Sequence, residues 1–114
     1  MKIEKFEDIL SWQKAKTLTI EIYSTFKGTH DFGFKNQIER ASVSIMNNIA
    51  EGFERKSNNE FRYFLYVAKG SSGEVRSMLS LAKDLKKINN DQFHQLYNLS
   101  LEISKLLSGL IKTL

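Results

Sequence analysis

The chain has 114 residues, a formal net charge of +4 at pH 7, 41% hydrophobic residues, and neither cysteine nor proline. Its length suits one domain with a modest core, and the lack of cysteine excludes disulfides and thiolate metal sites. No apolar run follows Lys2 and no stretch approaches the length of a membrane span, so we expect a cytoplasmic protein. The excess of positive charge favours an anionic partner.

Two helices are predicted in the first half of the chain. The first covers residues 8–27, and Gly28 stands where a left-handed carboxy-terminal cap is expected. The second covers residues 34–54. Its predicted core stripe consists of Phe34, Ile38, Ala41, Ile45, Ile49 and Gly52.

The third helix is predicted over residues 58–87, after a capping box formed by Ser57 and Glu60. A heptad pattern fits it, with two sets of core positions. Position a holds Phe61, Ala68, Val75 and Ala82, and position d holds Phe64, Ser71, Met78 and Leu85.

The fourth helix is predicted over residues 90–113, with Asn89 or Asn90 as its cap. No segment alternates in the way a strand does, and a chain without proline is typical of helices with short links. The sequence therefore predicts an all-α fold in which residues 1–114 form one domain, an antiparallel up-down four-helix bundle.

The second helix has apolar residues on two sides. Beside its core stripe runs a second ridge of Val43, Met46, Ala50 and Phe53. A surface helix normally shows one apolar stripe, so we expect this ridge to be covered by another molecule. A polar line separates the two ridges and is interpreted as a structural network rather than a catalytic site. The network comprises Arg40, Ser44, Asn48 and Glu51, with Glu60 and Glu74 on the third helix.

The outward positions of the third helix are unusually poor in charge. They hold Tyr63, Tyr66, Gly70 and Gly73, where lysine and glutamate are normally found. An interior glycine costs a helix about 1 kcal/mol relative to alanine. Either the helix breaks at the "GSSG" stretch, or the glycines stay helical and admit a close neighbour. We favour the second interpretation, and with the second ridge it predicts a homo-oligomer.

Basic residues recur at every seventh position along the third helix. This basic stripe consists of Arg55, Arg62, Lys69, Arg76 and Lys83, and Lys86 and Lys87 extend it. Of the five, only Arg55 has an acidic residue three or four places away, namely Glu51. The stripe therefore suggests contact with RNA or DNA phosphates. The alternative is neutralisation by acidic residues of other helices or subunits, such as Glu60, Glu74 or Glu102.

Nothing in the sequence points to catalysis. A di-iron site in a bundle needs two Glu-x-x-His pairs, and the chain has only His30 and His94. Asp91 and His94 form a single D-x-x-H at a helix start. There is no phosphate-binding glycine loop and no nucleophile–base pair. We therefore expect no enzyme, no cofactor and no metal.

Several motifs in order resemble the 23S rRNA intervening-sequence proteins. They are Arg40-Ala41, Ser44-Ile45, "NIAEG" at 48–52, Arg55, Ser57, Glu60, Phe64-Leu65, Ala68 and "GSSGE" at 70–74. The opening "FEDILSWQKA" and the closing "LEISKLLSGLIKTL" resemble the same family. The chain departs from it at Met46, where the family often has proline, and in lacking a proline before the second helix.

The resemblance implies an antiparallel four-helix bundle that assembles as a homopentameric ring with a basic surface. A similar protein, the accessory variability determinant of diversity-generating retroelements, works with a reverse transcriptase. We therefore expect a non-enzymatic homo-oligomer that binds nucleic acid, with a nucleic-acid-processing protein as a further possible partner. The alternative is a protein-interaction module that makes no contact with nucleic acid.

Overall fold

The computed structural model describes residues 2–114, which form four α-helices and no strand. The helices are α1 (Leu10–Thr25), α2 (Phe32–Phe53), α3 (Asn58–Asp84) and α4 (Asn90–Lys112). A 3-10 turn at Phe6–Asp8 precedes α1, which therefore begins later than the sequence suggested. The predicted all-α four-helix bundle is confirmed. Within the described residues, no helix is long and apolar enough to cross a membrane.

Each helix packs against two others, so that α1 and α3 both contact α2 and α4. The most extensive packing is between α2 and α3. Burying each large aliphatic side chain contributes about 1.5–3 kcal/mol. The fully buried large aliphatic side chains are Leu18, Ile22, Ile38, Ile45, Ile49, Leu65, Val75, Leu79, Ile103 and Leu107.

Side-chain caps fix the starts of α3 and α4. Asn89 caps α4 with a complete capping box, in which its side chain and that of Gln92 each accept a backbone N–H of the other residue. Ser57 caps α3 by accepting from the Glu60 N–H at 3.2 Å. The Glu60 carboxylate accepts from the Ser57 hydroxyl at 3.2 Å, so only half of the expected capping box is present.

The left-handed cap predicted at Gly28 is wrong. No glycine has a positive φ, and α1 ends at Thr25 with Phe26 as its C-cap. The left-handed residue of the described chain is Lys86, with φ 60°, at the end of α3. The N–H of Lys87 donates to the Ala82 carbonyl at 2.8 Å, which closes the last turn in the way a Schellman motif does.

The heptad assignment of α3 is one residue off for part of the core. Leu65, Ser72 and Leu79 are fully buried, each one position after a predicted d residue, whereas Leu85 is 54% exposed. A straight α-helix drifts about 20° per heptad from a 3.5-residue repeat. Because α3 packs between α2 and α4, its buried face is also broader than a single seam.

The "GSSG" stretch remains helical, so the helix-break alternative is wrong. Its two serines face opposite neighbours. The Ser71 hydroxyl lies 2.9 Å from that of Ser44 in α2, and the Ser72 hydroxyl lies 2.9 Å from that of Ser100 in α4. A Cβ added at Gly70 would meet no atom within 4 Å, so nothing in the chain itself requires glycine there.

Candidate nucleic-acid interface

From Arg62 to Lys83 the basic stripe lies along the seam where α3 packs against α4, whereas Arg55 lies in the link between α2 and α3. Arg76 donates to the Ser104 hydroxyl of α4 at 2.7 Å. Lys83 places its ammonium 4.6 Å from the centre of the Phe93 ring, also in α4. Lys69 lies on the same side of α3 and has no ion-pair or hydrogen-bond partner among residues 2–114.

Two arginines of the stripe are occupied by contacts within the chain. Arg55 pairs with Glu51 at 3.5 Å and covers the ring of Phe64 at 4.7 Å. Arg62 donates to the Leu114 carbonyl at 2.5 Å and so ties α3 to the segment after α4. Both side chains therefore already have partners within the chain, although the Arg55–Glu51 pair is solvent-exposed.

Lys87 is likewise occupied. Its ammonium lies 3.1 Å from the Asp31 carboxylate and 5.4 Å from the centre of the Phe34 ring. Asp31 is the cap of α2, which the sequence analysis missed. The hydrogen bond from the Phe34 N–H, followed by that from Lys87, lowers the pKa of the Asp31 carboxyl. Lys86 next to it is exposed and makes no ion pair in the described chain.

Arg76 is anchored in a cluster of buried serines. Ser72 and Ser100 bond reciprocally, because each hydroxyl donates to the other residue's carbonyl, at 2.9 and 3.0 Å. The Nη1 atom of Arg76 lies 2.7 Å from the Ser104 hydroxyl and 3.2 Å from Ser72 and Ser100. This network fixes the guanidinium at the surface, with Nη2 free of partners within residues 2–114.

Beside Arg76 the seam opens into a groove of about 510 Å³ between α3 and α4. Four cations line it and no carboxylate does. From α3 come Lys69 and Arg76, and from α4 come Leu101, Ser104, Lys105, Ser108, Gly109 and Lys112. We refer to this feature as the α3–α4 groove. Its cations and serine hydroxyls are suited to bind phosphate oxygens.

The acidic residues that could have neutralised the stripe are bound elsewhere in the chain. Glu102 pairs with Lys14 at 3.4 Å, and Glu74 accepts from the Gln37 amide at 3.4 Å. Glu60 interacts with the α3 cap. Within residues 2–114, none of them contacts a basic residue of the groove.

Two groove residues, Lys105 and Lys112, were missed by the sequence analysis. They are seven residues apart on α4, the same spacing as in the basic stripe, and both are exposed. The prediction of α4 rested only on its apolar residues, so the spacing of these two lysines was not identified. Only the packing of α4 against α3 brings the two basic rows together.

The candidate assembly residues divide into covered and exposed positions. Met46 and Phe53 of the second ridge pack on the hydrophobic core, and Phe53 contacts Phe61 edge-to-face at 5.9 Å. Val43 and Ala50 are half-buried. On α3, Tyr63 and Tyr66 are 64% and 55% exposed, Gly70 is exposed, and Gly73 lies beside the Arg76 guanidinium.

The proposed polar network is only partly connected. The Asn48 amide donates to the Ser44 carbonyl and hydroxyl, and Ser44 bonds Ser71 across the α2–α3 seam. Glu51 pairs with Arg55 instead. Arg40 has no ion-pair or hydrogen-bond partner in the described chain and lines an open depression of about 430 Å³ on the outside of α2.

Comparison with known proteins gives a family and a related structure. The model of the 23S rRNA-intervening sequence proteins matches residues 7–109. A crystal structure of a Bacteroides thetaiotaomicron protein of unknown function, from the S23 ribosomal protein family, is 28% identical with a TM-score of 0.85. The match covers 90% of this chain and 99% of that one. No curated protein matches the chain.

Proposed function

Since the chain belongs to the 23S rRNA-intervening sequence protein family, we propose that it is a non-enzymatic, self-associating bundle that binds RNA or DNA. The observation that carries this proposal is the α3–α4 groove, where four cations converge without a carboxylate. Binding there is electrostatic and follows the phosphate backbone. A reducing compartment such as the cytoplasm fits a chain without cysteine.

The groove is a better candidate than the whole basic stripe. Arg55, Arg62 and Lys87 are already engaged inside the chain. Lys105 and Lys112 are exposed and unpaired among residues 2–114. The fixed Arg76 adds a guanidinium whose position does not have to be ordered when a phosphate binds.

We further propose an antiparallel bundle that assembles into a ring of copies, a homopentamer by family resemblance. Contacts between α2 and α3 run in opposite chain order, from Gln37 with Glu74 to Gly52 with Phe61, which supports the antiparallel arrangement. The outer face of α3, which is poor in charge and carries the exposed Tyr63, supports assembly.

The proposed binding is tested by fluorescence anisotropy with a labelled structured RNA at several salt concentrations. The double variant Lys105→Gln/Lys112→Gln is compared with Lys5→Gln/Lys27→Gln, two exposed lysines outside the groove. Each double variant lowers the formal net charge from +4 to +2, so general electrostatics are matched. We expect the groove variant alone to flatten the salt slope, by about 1.4–1.8.

An equal change in the salt dependence of RNA binding in both double variants would reject the groove as the binding site. If the folded wild-type protein binds neither RNA nor DNA at low salt, the protein-interaction alternative replaces nucleic-acid binding. The exposed outer face of α3, which is poor in charge, would then be the surface offered to that partner.

Assembly is tested separately by light scattering of Gly70→Arg. Because a Cβ added at Gly70 meets no atom within 4 Å, we expect the variant to leave the fold intact and to obstruct a neighbour. Asn98→Arg, at an exposed position of α4, adds the same charge as a control. We expect Gly70→Arg to lower the mass and the control to leave it unchanged. A monomeric wild type, or an unchanged mass for Gly70→Arg, would contradict assembly through this face.

A further inference from the structure

We propose that the α3–α4 groove takes the phosphate backbone of a double-stranded stretch of nucleic acid rather than an unpaired strand. This inference rests on the proposed function and narrows it to one class of ligand. It follows from the chemistry of the groove lining, the positions of the aromatic side chains and the regular spacing of the cations around the anchored Arg76.

The groove lining contains no aromatic ring. Its eight residues supply four cations, two serine hydroxyls, one leucine and one glycine. Sites for unpaired strands combine a basic groove with aromatic side chains, because successive bases stack on the rings. This groove offers groups for phosphates and no surface on which a splayed base could stack.

The aromatic side chains near α3 lie outside the groove. Tyr63 and Tyr66 are exposed, but neither belongs to the groove lining. Phe93, at the amino-terminal end of α4, is half-buried under the Lys83 ammonium at 4.6 Å. A strand that followed the groove cations would therefore meet no ring between Lys69 and Lys112.

The groove cations are spaced regularly along two packed helices, and one of them is held in place. Lys69 and Arg76 are seven residues apart on α3, and Lys105 and Lys112 are seven apart on α4, which is about 10.5 Å along each helix. The serine cluster holds Arg76 in place. Regularly spaced charges on rigid helices favour a ligand whose phosphates are already ordered, whereas a flexible strand loses conformational freedom on binding.

The charge density of the nucleic acid also favours a duplex. A duplex presents one negative charge per about 1.7 Å of its axis, twice the density of one strand, and releases more counterions for each contact. Duplex RNA is recognised largely by shape and backbone contacts, and such recognition needs no unpaired base. The groove lining provides the groups for that kind of recognition.

The test compares two fluorescent RNAs with the complete chain at one low salt concentration. One is a duplex of about 16 base pairs and the other an unpaired oligouridine of the same strand length. We expect the duplex to bind more tightly by about tenfold or more, with no change when its base sequence is scrambled. Lys105→Gln/Lys112→Gln should remove most of this preference.

A second variant tests whether unpaired bases stack on an aromatic side chain outside the groove. Tyr66→Ser removes the exposed ring on the outer face of α3. Because weaker assembly would lower both affinities together, we expect the ratio of duplex to oligouridine affinity to stay unchanged in this variant. Tighter or equal binding of the oligouridine to wild type, or a selective loss of oligouridine binding in Tyr66→Ser, would overturn the duplex inference while nucleic-acid binding itself stands. Failure of wild-type protein to bind either RNA would overturn the inference and the proposed function together.

Discussion

The two seams on either side of α3 use the same small residues for packing but carry different charges. Toward α2, Ser71 bonds Ser44, and the polar contacts are neutral or involve a carboxylate. Toward α4, Ser72 bonds Ser100 at the same 2.9 Å separation, yet Arg76 joins the cluster and the seam opens into a basic groove. Of these two adjacent serines, Ser71 therefore contributes to a seam that only packs, and Ser72 to a seam that also presents positive charge.

This difference separates packing from function within one motif. A hydroxyl pair lets two helices approach closely and satisfies its own polar groups on either side of α3. The additional feature of the α4 side is an arginine whose guanidinium is held by buried groups while part of it faces the groove. Substitutions in either seam should therefore change the stability of the protein. Only substitutions in the α3–α4 seam should also change nucleic-acid binding.

The largest expected effect lies in the α2–α3 seam at Gly52. A Cβ added there would stand 2.6 Å from the Phe64 Cβ and 3.1 Å from the Phe61 ring, so the helices would have to separate. We expect Gly52→Ala to lower the free energy of unfolding by about 2 kcal/mol, measured by urea denaturation. Gly109→Ala is the control, because a Cβ at that helical position meets no atom within 4 Å.

The control should raise the free energy of unfolding by up to about 1 kcal/mol, the usual gain from replacing a helical glycine by alanine. If Gly52→Ala were as stable as wild type, the close approach of α2 to α3 at this point would be contradicted.

A smaller effect is expected from the two serines. Ser72→Ala removes the reciprocal bonds with Ser100 and one partner of Arg76, all in a buried site, so we expect a loss of about 1–2 kcal/mol. Ser71→Ala should cost about 0.5 kcal/mol, since Ser44 keeps its contact with Asn48. Urea denaturation of the two variants side by side measures the difference. A larger loss of unfolding free energy for Ser71→Ala than for Ser72→Ala would contradict the expectation that the α3–α4 serine contributes more to stability.

Much of the fold could be predicted from apolar spacing. The four helices, the continuous helix through residues 70–73 and the Ser57 cap were all foreseen, because each depends on local sequence. The cap at Gly28 was wrong, since the left-handed conformation falls on Lys86 instead. A glycine after a helix permits this conformation without requiring it.

The groove could be predicted only in part. The seven-residue spacing identified Lys69 and Arg76. It does not show which basic side chains are engaged by contacts within the fold. Arg62 is engaged by the Leu114 carbonyl, which is 52 residues away in the chain. Lys87 is engaged by Asp31, a helix cap that also lies far away in sequence. Such contacts arise from tertiary packing and leave no local signal.

The central claim is that the α3–α4 groove, rather than the whole basic stripe, binds nucleic acid. It is tested most directly by comparing the salt dependence of RNA binding for Lys69→Gln/Lys105→Gln, across the groove, and Lys83→Gln/Lys86→Gln, outside it. Both reduce the formal net charge from +4 to +2. We predict that the groove variant flattens the slope by about 1.4–1.8 and that the other leaves it unchanged. Equal flattening in both, or flattening only in Lys83→Gln/Lys86→Gln, would contradict the claim.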